Sequence, residues 1–595
     1  LENGAQYKYK INQLMDLTFE QRNKPLAAPL KTFGPATLHL KKGLRILHLY
    51  GAEEEMAYQH GTLLKEDIPK GAARYLAHKF ENEVRYDGPV KNSPLLQEIA
   101  IRLGNGLVFN RLIRQIPEEE RKIIRALADA SQIPENDFQR AGALPDAMVI
   151  LSQYISGRYF ISQMVPKIFG CNGFIALWPM TKDGELVHGR NLDFPVGNYW
   201  DRYSSVTYHY PAKGQKYVSI ATAGVYTPGV TAFNESGLIL AIHQLFTTDV
   251  SAKGTPIVLI CARVIRYATN IAEAVSIIRS MKRAGNWAIM LSSVKEKRAV
   301  VIEVSPHEVF VREAKDGLIT HSNYCFSPRL KRYELYFNHT TIEDNLYRCS
   351  RLTELCQESK GNLDETRGIE ILGDHFDSLT KRQRVIGRTV STIYNVQSVF
   401  FHPEKKRFWI STGLAPANLS DYMELPWEGD DWGVIHGEKT LPPNSFSKTP
   451  QCEGMREYTK AYHHFYNTKD FLTAEAHLKK ALQYDSEEFA YYLALGFTQI
   501  KLRNFPAASE TFERGEKLAD LSHYEKALFS LFHGRAYDLL GNRDKAQKKY
   551  EPYLSDSRID SKLRRAFLKS FRSAYREKDI EKTIFQFIIS DFLVY

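Results

Sequence analysis

Residues 170–193 constrain this chain more than any other stretch. Two strand-like runs, Gly173 to Pro179 and Glu185 to Asp193, flank the turn Lys182-Asp183-Gly184 and read as a hairpin. The return strand runs back beside Gly170-Cys171, which places that dipeptide at the open end of the hairpin. Arg190 and Asp193 are three residues apart. A regular strand would put them on opposite faces, so both turn toward Cys171 only where the strand ends or bulges between them.

A cysteine that becomes the first residue of a chain carries its own base. If Gly170-Cys171 is cleaved, the freed α-amine titrates near ~8, close enough to neutrality to take the thiol proton. Gly170 suits such a cleavage because it leaves the scissile peptide unhindered and open to unusual backbone angles. An aspartate beside that amine would hold it, and an arginine would favour the thiolate and orient an acyl oxygen. Asp193 and Arg190 are the candidates.

Three further phrases follow in order. Asn234-Glu235-Ser236-Gly237 is a turn leading into a strand from Leu238 to Leu245, which carries His243 and Gln244. Thr320-His321-Ser322-Asn323-Tyr324 ends another strand. Val385-Ile386-Gly387-Arg388-Thr389 precedes a closing hairpin, Tyr394 to Phe401 and Arg407 to Thr412. Together with Gly170-Cys171 and Arg190-x-x-Asp193, these resemble the cysteine N-terminal nucleophile hydrolases: choloylglycine hydrolase, acyl-coenzyme A:isopenicillin N acyltransferase and acid ceramidase.

The resemblance implies a catalytic set of Cys171, Arg190, Asp193, Asn323 and Arg388. In it Asn323 donates to the oxyanion of a tetrahedral intermediate, where acyl transfer develops charge. It also implies cleavage between Gly170 and Cys171 and polar substrate contacts at His243 and Gln244. Asn172 departs from the residue type usual after the cysteine, and Thr392-Ile393 fits the acyltransferase type better than the bile-salt type. The first bears on substrate class, as does the 19-residue spacing from Cys171 to Arg190, slightly longer than in the bile-salt enzymes; the second bears on the role of Arg388. His60, in Tyr58-Gln59-His60-Gly61, reads as a packed structural ring.

Composition narrows the rest. The chain has 595 residues, 43% apolar and 25% charged, an ordinary globular balance with room for several domains. Its six cysteines show no CxxC or Cys/His spacing, which argues against a zinc site, and no cofactor is called for. The net charge of +10 comes from scattered basic residues, with the sharpest cluster at Lys381-Arg382-Gln383-Arg384. That cluster reads as a solvated face, and no nucleic-acid motif accompanies it. The given sequence starts at Leu1 without a charged-then-apolar stretch, so any targeting segment is expected to have been removed or left out, and with no run of eighteen apolar residues a spanning helix is not expected in the given chain. Compartment stays open, with the periplasm, cell envelope or secretion slightly favoured.

Beyond Pro426 to Met455, rich in Pro, Gly, Asp and Ser, the period changes. Tyr462 with Ala474, Gly496 with Ala508 and Gly534 with Ala546 recur after 34 and then 38 residues, with Leu478, Phe512 and Tyr550 at a matching later position. That spacing is similar to degenerate tetratricopeptide repeats, whose paired helices need close approach. Such a region is either a concave surface for a protein partner or a helical wall packed on the rest of the chain.

The expected architecture is therefore α+β: a mainly helical pro-segment or small subunit over 1–170, a four-layer αββα core over 171–425, a linker over 426–455 and an all-α helical-repeat domain over 456–595. The expected activity is a self-processing amidohydrolase acting on a linear acyl amide through a Cys171 thioester. The alternatives are acyl transfer from a thioester to an amine, or an inactive module serving as a scaffold.

Overall fold

The computed structural model describes residues 29–82, 84–85, 93–155, 170–194, 199–335, 339–428, 439–583, 585 and 587. The start of the expected pro-segment, the approach to Gly170, the middle of the expected linker and the end of the chain lie outside the described residues.

Strands β1 (Lys31–Phe33), β2 (Ala36–Lys41) and β3 (Leu44–Gly51) open the described chain. The run from Pro35 to Tyr50 alternates apolar and basic residues and forms the pair β2–β3, with Leu38 opposite Leu47. The longer helices that follow among the described residues are α1 (Glu53–Leu63), α2 (Ala72–Asn82), α3 (Pro94–Gly104), α4 (Glu118–Ser131) and α5 (Glu135–Ile155). Three glutamates in the first turn of α1 face the positive end of its dipole.

The hairpin is β4 (Gly170–Ala176) and β5 (Val187–Asp193). It starts three residues earlier than the sequence suggested, so Cys171 lies within a strand, opposite Leu192. Next come β6 (Ser204–Pro211), β7 (Tyr217–Thr222), β8 (Thr231–Asn234), β9 (Leu238–Gln244), β10 (Trp287–Ser293), β11 (Arg298–Val304), β12 (Val309–Glu313) and β13 (Leu318–His321). A two-stranded ribbon, β14 (Phe376–Asp377) with β15 (Arg382–Gln383), precedes β16 (Asn395–His402), β17 (Arg407–Ser411), β18 (Tyr422–Pro426) and β19 (Thr440–Leu441).

Two large sheets result. One has ten strands in the order β1-β2-β3-β6-β7-β8-β9-β10-β11-β12, the other seven in the order β13-β4-β5-β16-β17-β18-β19. Residues before Cys171 therefore supply three strands of the first sheet through the parallel pair β3–β6, with Arg45 opposite Ser205. Beside its helices, the expected mainly helical segment 1–170 thus contributes three described strands to the first sheet. A β-strand lacks the partners it needs until the chain returns at residue 204, which is why only its alternation was visible in the sequence.

Side-chain alternation sorts the interior. Ile239 and Ala241 of β9 share a core with Ile175, Val399 and Phe401 of the other sheet. Leu238, Leu240 and Ile242 turn to the opposite face and pack with α2, α5, α6 (Ile257–Tyr267) and α7 (Ile271–Ser280). Phe174 and Phe400, on the far face of the seven-stranded sheet, pack against α8 (His339–Glu358) and α9 (Glu365–Leu372).

The C-terminal region is helical: α10 (Pro450–His463), α11 (Phe471–Tyr484), α12 (Phe489–Lys501), α13 (Phe505–Glu516), α14 (His523–Leu539), α15 (Arg543–Tyr550) and α16 (Ser561–Arg572). The last part of the expected linker is already helix α10, capped by Thr449. Helices α11, α13 and α15 each begin at an Asx cap, Asp470, Asn504 and Asn542. Each cap follows a residue with positive φ: Lys469, Arg503 and Gly541. At Gly496 and Gly534 an added Cβ would lie 2.3 and 2.4 Å from the rings of Phe512 and Tyr550, so the glycines are what allow those helices to close.

This region rests on the sheets. Val385, Ile386 and Ile393 join its core, Arg384 pairs with Glu488 at 3.2 Å, and Arg382 pairs with Glu487 at 2.9 Å. Arg382 and Arg384 of that cluster accordingly lie in a seam between the two regions, while Lys381 and Gln383 are exposed. Among the described residues no helix is long and apolar enough to cross a membrane.

Candidate active site

Cys171 points between the two sheets at the end of β4 and is buried. Arg190, on the facing strand and on the same side, brings Nη2 to 3.7 Å from its Sγ. The guanidinium is fixed by two further acceptors, Thr231 Oγ1 at 2.5 Å and the Ile242 carbonyl at 3.0 Å. Burial pushes the thiol up to about 11, with Arg190 pulling the other way. In the continuous chain Cys171 is therefore a neutral thiol at pH 7.

Asp193 takes the other direction its strand position dictates. Its backbone N–H hydrogen-bonds the thiol, while its carboxylate accepts from Arg348 Nη2 at 2.6 Å and Asn395 Nδ2 at 2.8 Å. Burial raises its pKa and Arg348 opposes that rise most strongly. The β5–β16 pairing shifts register between Asn395 and Gln397, so the irregularity lies on the neighbouring strand, and it is there that Asn395 reaches the carboxylate.

Asn323 meets the cysteine nitrogen. The Cys171 N–H donates to its Oδ1 at 2.7 Å, and its Nδ2 donates to the Gln244 carbonyl at 2.8 Å. These partners fix the amide orientation, because one is a donor only and the other an acceptor only. The side chain thus positions the Cys171 nitrogen, and its donor group is engaged with Gln244.

The remaining expected residues fall outside this cluster. Arg388 forms an ion pair with Asp377, Nη2 to Oδ2 at 2.9 Å, on the segment that carries the helical region. The second arginine of the cluster is Arg348 on α8, which the sequence reading missed. A lone arginine in an amphipathic helix carries no local sign that it will meet a strand end 155 residues away. Thr231 and Asn395 were missed for the same reason. His243 faces the inter-sheet core beside His321, ring centroids 5.5 Å apart, and the Gln244 side chain donates to the Pro145 carbonyl at 3.0 Å. His60 is the packed ring expected, accepting from the Gly224 N–H at 3.2 Å.

A cavity of about 80 Å³ opens on Cys171 and Arg190. By this measure it holds several waters or a short run of methylenes. Leu76, Ile116, Leu127, Phe138, Trp200 and Val258 are among its walls, which are predominantly apolar, and neither His243 nor Gln244 lines it. Away from the site, Asp183, Glu185 and His402 stand in metal-ligating geometry at the other end of the hairpin. Lys405 already pairs with Asp183 there, at 3.4 Å.

The family model described as acyl-coenzyme A:6-aminopenicillanic acid acyl-transferase matches residues 180–415. The match takes in Arg190, Asp193, Asn323 and Arg348 and begins after Cys171. An uncharacterized protein of Archaeoglobus fulgidus is 26% identical over 474 residues, 71% of this chain and 77% of that one. Protein dcd1B of Dictyostelium discoideum is 24% identical over 263 residues, 44% of this chain and 50% of its own length. Among solved structures, the Caenorhabditis elegans ortholog of N-acylethanolamine-hydrolyzing acid amidase is similar over 39% of this chain and 93% of its own. The identity there is 15% and the TM-score 0.28. The family match, over residues 180–415, supports the N-terminal nucleophile hydrolase superfamily, with an acyl-transferase as the family described.

Proposed function

We propose that this chain is the precursor of a cysteine amidohydrolase that cleaves itself before Cys171 and then cleaves amides bearing an apolar acyl group. The observation that carries the reading is the Cys171 thiol at the end of an apolar cavity, with Arg190 against its sulfur and Asn323 on its nitrogen. In self-cleavage the thiol adds to the Gly170 carbonyl, the Cys171 nitrogen takes a proton and leaves, and water releases Gly170 from the thioester. The new α-amine then accepts the thiol proton. The thiolate adds to an acyl amide carbonyl, the amine departs with that proton, and water resolves the second thioester.

Arg190 is the cation facing the charge that develops on sulfur and on the acyl oxygen. Asp193, clamped by Arg348 and Asn395, fixes the end of β5 and aims its N–H at the sulfur. Asn323 acts as oxyanion donor once its Nδ2 exchanges the Gln244 carbonyl for the acyl oxygen. The αββα layering expected for this class accords with the core distribution, and the helical hairpins are read as tetratricopeptide-like repeats. Because β1, β2 and β3 belong to the ten-stranded sheet, the two fragments stay in one particle after cleavage.

Intact mass spectrometry of the purified chain beside Cys171→Ala tests the first half. Fragments of 170 and 425 residues are expected in the parent and an uncut chain in the variant. A parent that stays uncut and whose thiol resists electrophiles would sink the reading and leave the scaffold alternative. A series of acyl amides with and without an added acceptor amine tests the second half: hydrolysis is expected to dominate, and product captured on the amine would favour transfer.

A further inference from the structure

The helical region carries a second site, independent of the chemistry at Cys171. The first helices of its hairpins, α10, α12 and α14, present aromatic side chains along one groove, and two residues from near the end of the chain lie in it. Phe585 and Phe587 are 3% and 1% exposed. A single hydroxyl reads the backbone at both: Tyr466 Oη donates to the Phe585 carbonyl at 2.6 Å and accepts from the Phe587 N–H at 2.8 Å. One hydroxyl thus satisfies a carbonyl and an N–H of the same segment and sets its direction.

Each ring has its own pocket. Phe587 sits among Tyr458, Tyr462, Phe465 and Tyr466, ring centroids 4.7–6.2 Å away. Phe585 sits against Phe497 at 5.3 Å and Phe532 at 6.2 Å, with the Lys501 ammonium 5.6 Å from its ring. Upstream, Glu581 pairs with Lys501 at 3.3 Å and Arg503 at 3.1 Å. A backbone reader, two aromatic pockets and a cationic entrance are the parts of a peptide-recognition site.

We propose that this groove is a docking site for an extended segment of a partner protein, one bearing an acidic residue followed by two aromatic residues spaced i, i+2, and that Phe585 and Phe587 occupy it in cis. A segment tethered this closely has an effective concentration of roughly millimolar, so a partner must displace it and binds the intact chain weakly. The tail is then a built-in competitor that keeps the groove closed until a stronger ligand arrives.

The probe is a fluorescein-labelled peptide of residues 577–589, followed by anisotropy. The full chain carrying Phe585→Ala and Phe587→Ala is expected to bind it at least tenfold more tightly than the parent. The same peptide with both phenylalanines replaced by alanine is expected to bind neither. A folded double variant that ignores the peptide, or that binds both peptides alike, overturns the proposal. If the double variant fails to fold, hydrogen exchange on the parent decides. The Phe587 amide should exchange at least tenfold faster than amides within α12 and α14, and faster still with excess peptide. Exchange at the rate of those helices would make the tail permanent core and overturn the proposal. A parent that dimerises, with the dimer lost in the double variant, would make a second copy the occupant instead.

Discussion

The partners of Cys171 and Asp193 come from far along the chain: Asn323 is 152 residues from Cys171, Arg348 is 155 from Asp193 and Asn395 is 202 from it. In the helical region Gly496 meets Phe512 and Gly534 meets Tyr550, in each case sixteen positions later. The first arrangement buries charge and depends on several strands and a helix arriving together. The second buries rings against glycines within one hairpin and repeats the device. Long-range assembly concentrates reactive groups out of water, whereas local assembly makes a surface that can be extended one hairpin at a time.

Breaking the buried ion pair should cost most. Arg348→Ala leaves the Asp193 carboxylate buried without its cation, and about 3–5 kcal/mol of stability is expected to be lost, together with the proposed self-cleavage. Denaturant unfolding of the variant and mass spectrometry of its chain check both. A loss below about 1 kcal/mol would mean that Asn395 alone satisfies Asp193.

Acid sharpens the same contrast. His60 and His188, both within the sheet region, are buried and held neutral, with pKa values lowered by burial to about 3. Their folded pKa lies below the unfolded value of 6.5. The unfolded chain therefore binds more protons between those limits, and stability is lost as pH falls from 6.5 toward 3. At pH 5 the loss is about 2 kcal/mol for each. Urea midpoints across this range should fall, and replacing His60 by Gln should flatten the fall. An acid profile unchanged by that substitution would remove His60 from the account.

In the helical region the expected cost is smaller. Gly496→Ala forces Phe512 aside, at about 1–3 kcal/mol before the gain of up to ~1 kcal/mol from a helical alanine is subtracted. Self-cleavage should be unaffected. Loss of cleavage in this variant would show that the two regions are coupled through the seam at Arg384 and Glu488.

The smallest effect is expected at Arg388. It pairs with Asp377, so Arg388→Ala should change the rate of self-cleavage by less than twofold, about 0.4 kcal/mol. A loss of tenfold or more would restore Arg388 to the catalytic set expected from the resemblance.

Much of the local organisation was legible in the chain itself. The hairpin around Lys182-Asp183-Gly184, the pair β2–β3, the strands from Trp287 to His321 and the closing hairpin β16–β17 follow from alternation and turn residues. The positions spaced by 34 and 38 residues fall on helices of the C-terminal region. A further signal, the doublets Lys469-Asp470, Arg503-Asn504 and Gly541-Asn542, recurs at the same spacing and would have located each cap. Such features involve residues within one turn or one hairpin, where sequence separation and distance in space are nearly the same thing.

Only the tertiary structure decided what lies beyond that range. It joined the strands before Cys171 to the ten-stranded sheet, brought Arg348, Thr231 and Asn395 to the cluster, and sent Arg388 to the seam. It also turned Asn323 toward the cysteine nitrogen and laid Phe585 and Phe587 in the helical groove. The reason is physical. A buried charge or an extended backbone must find its partner wherever the completed layers bring one, and no periodicity along the chain records which residue that will be.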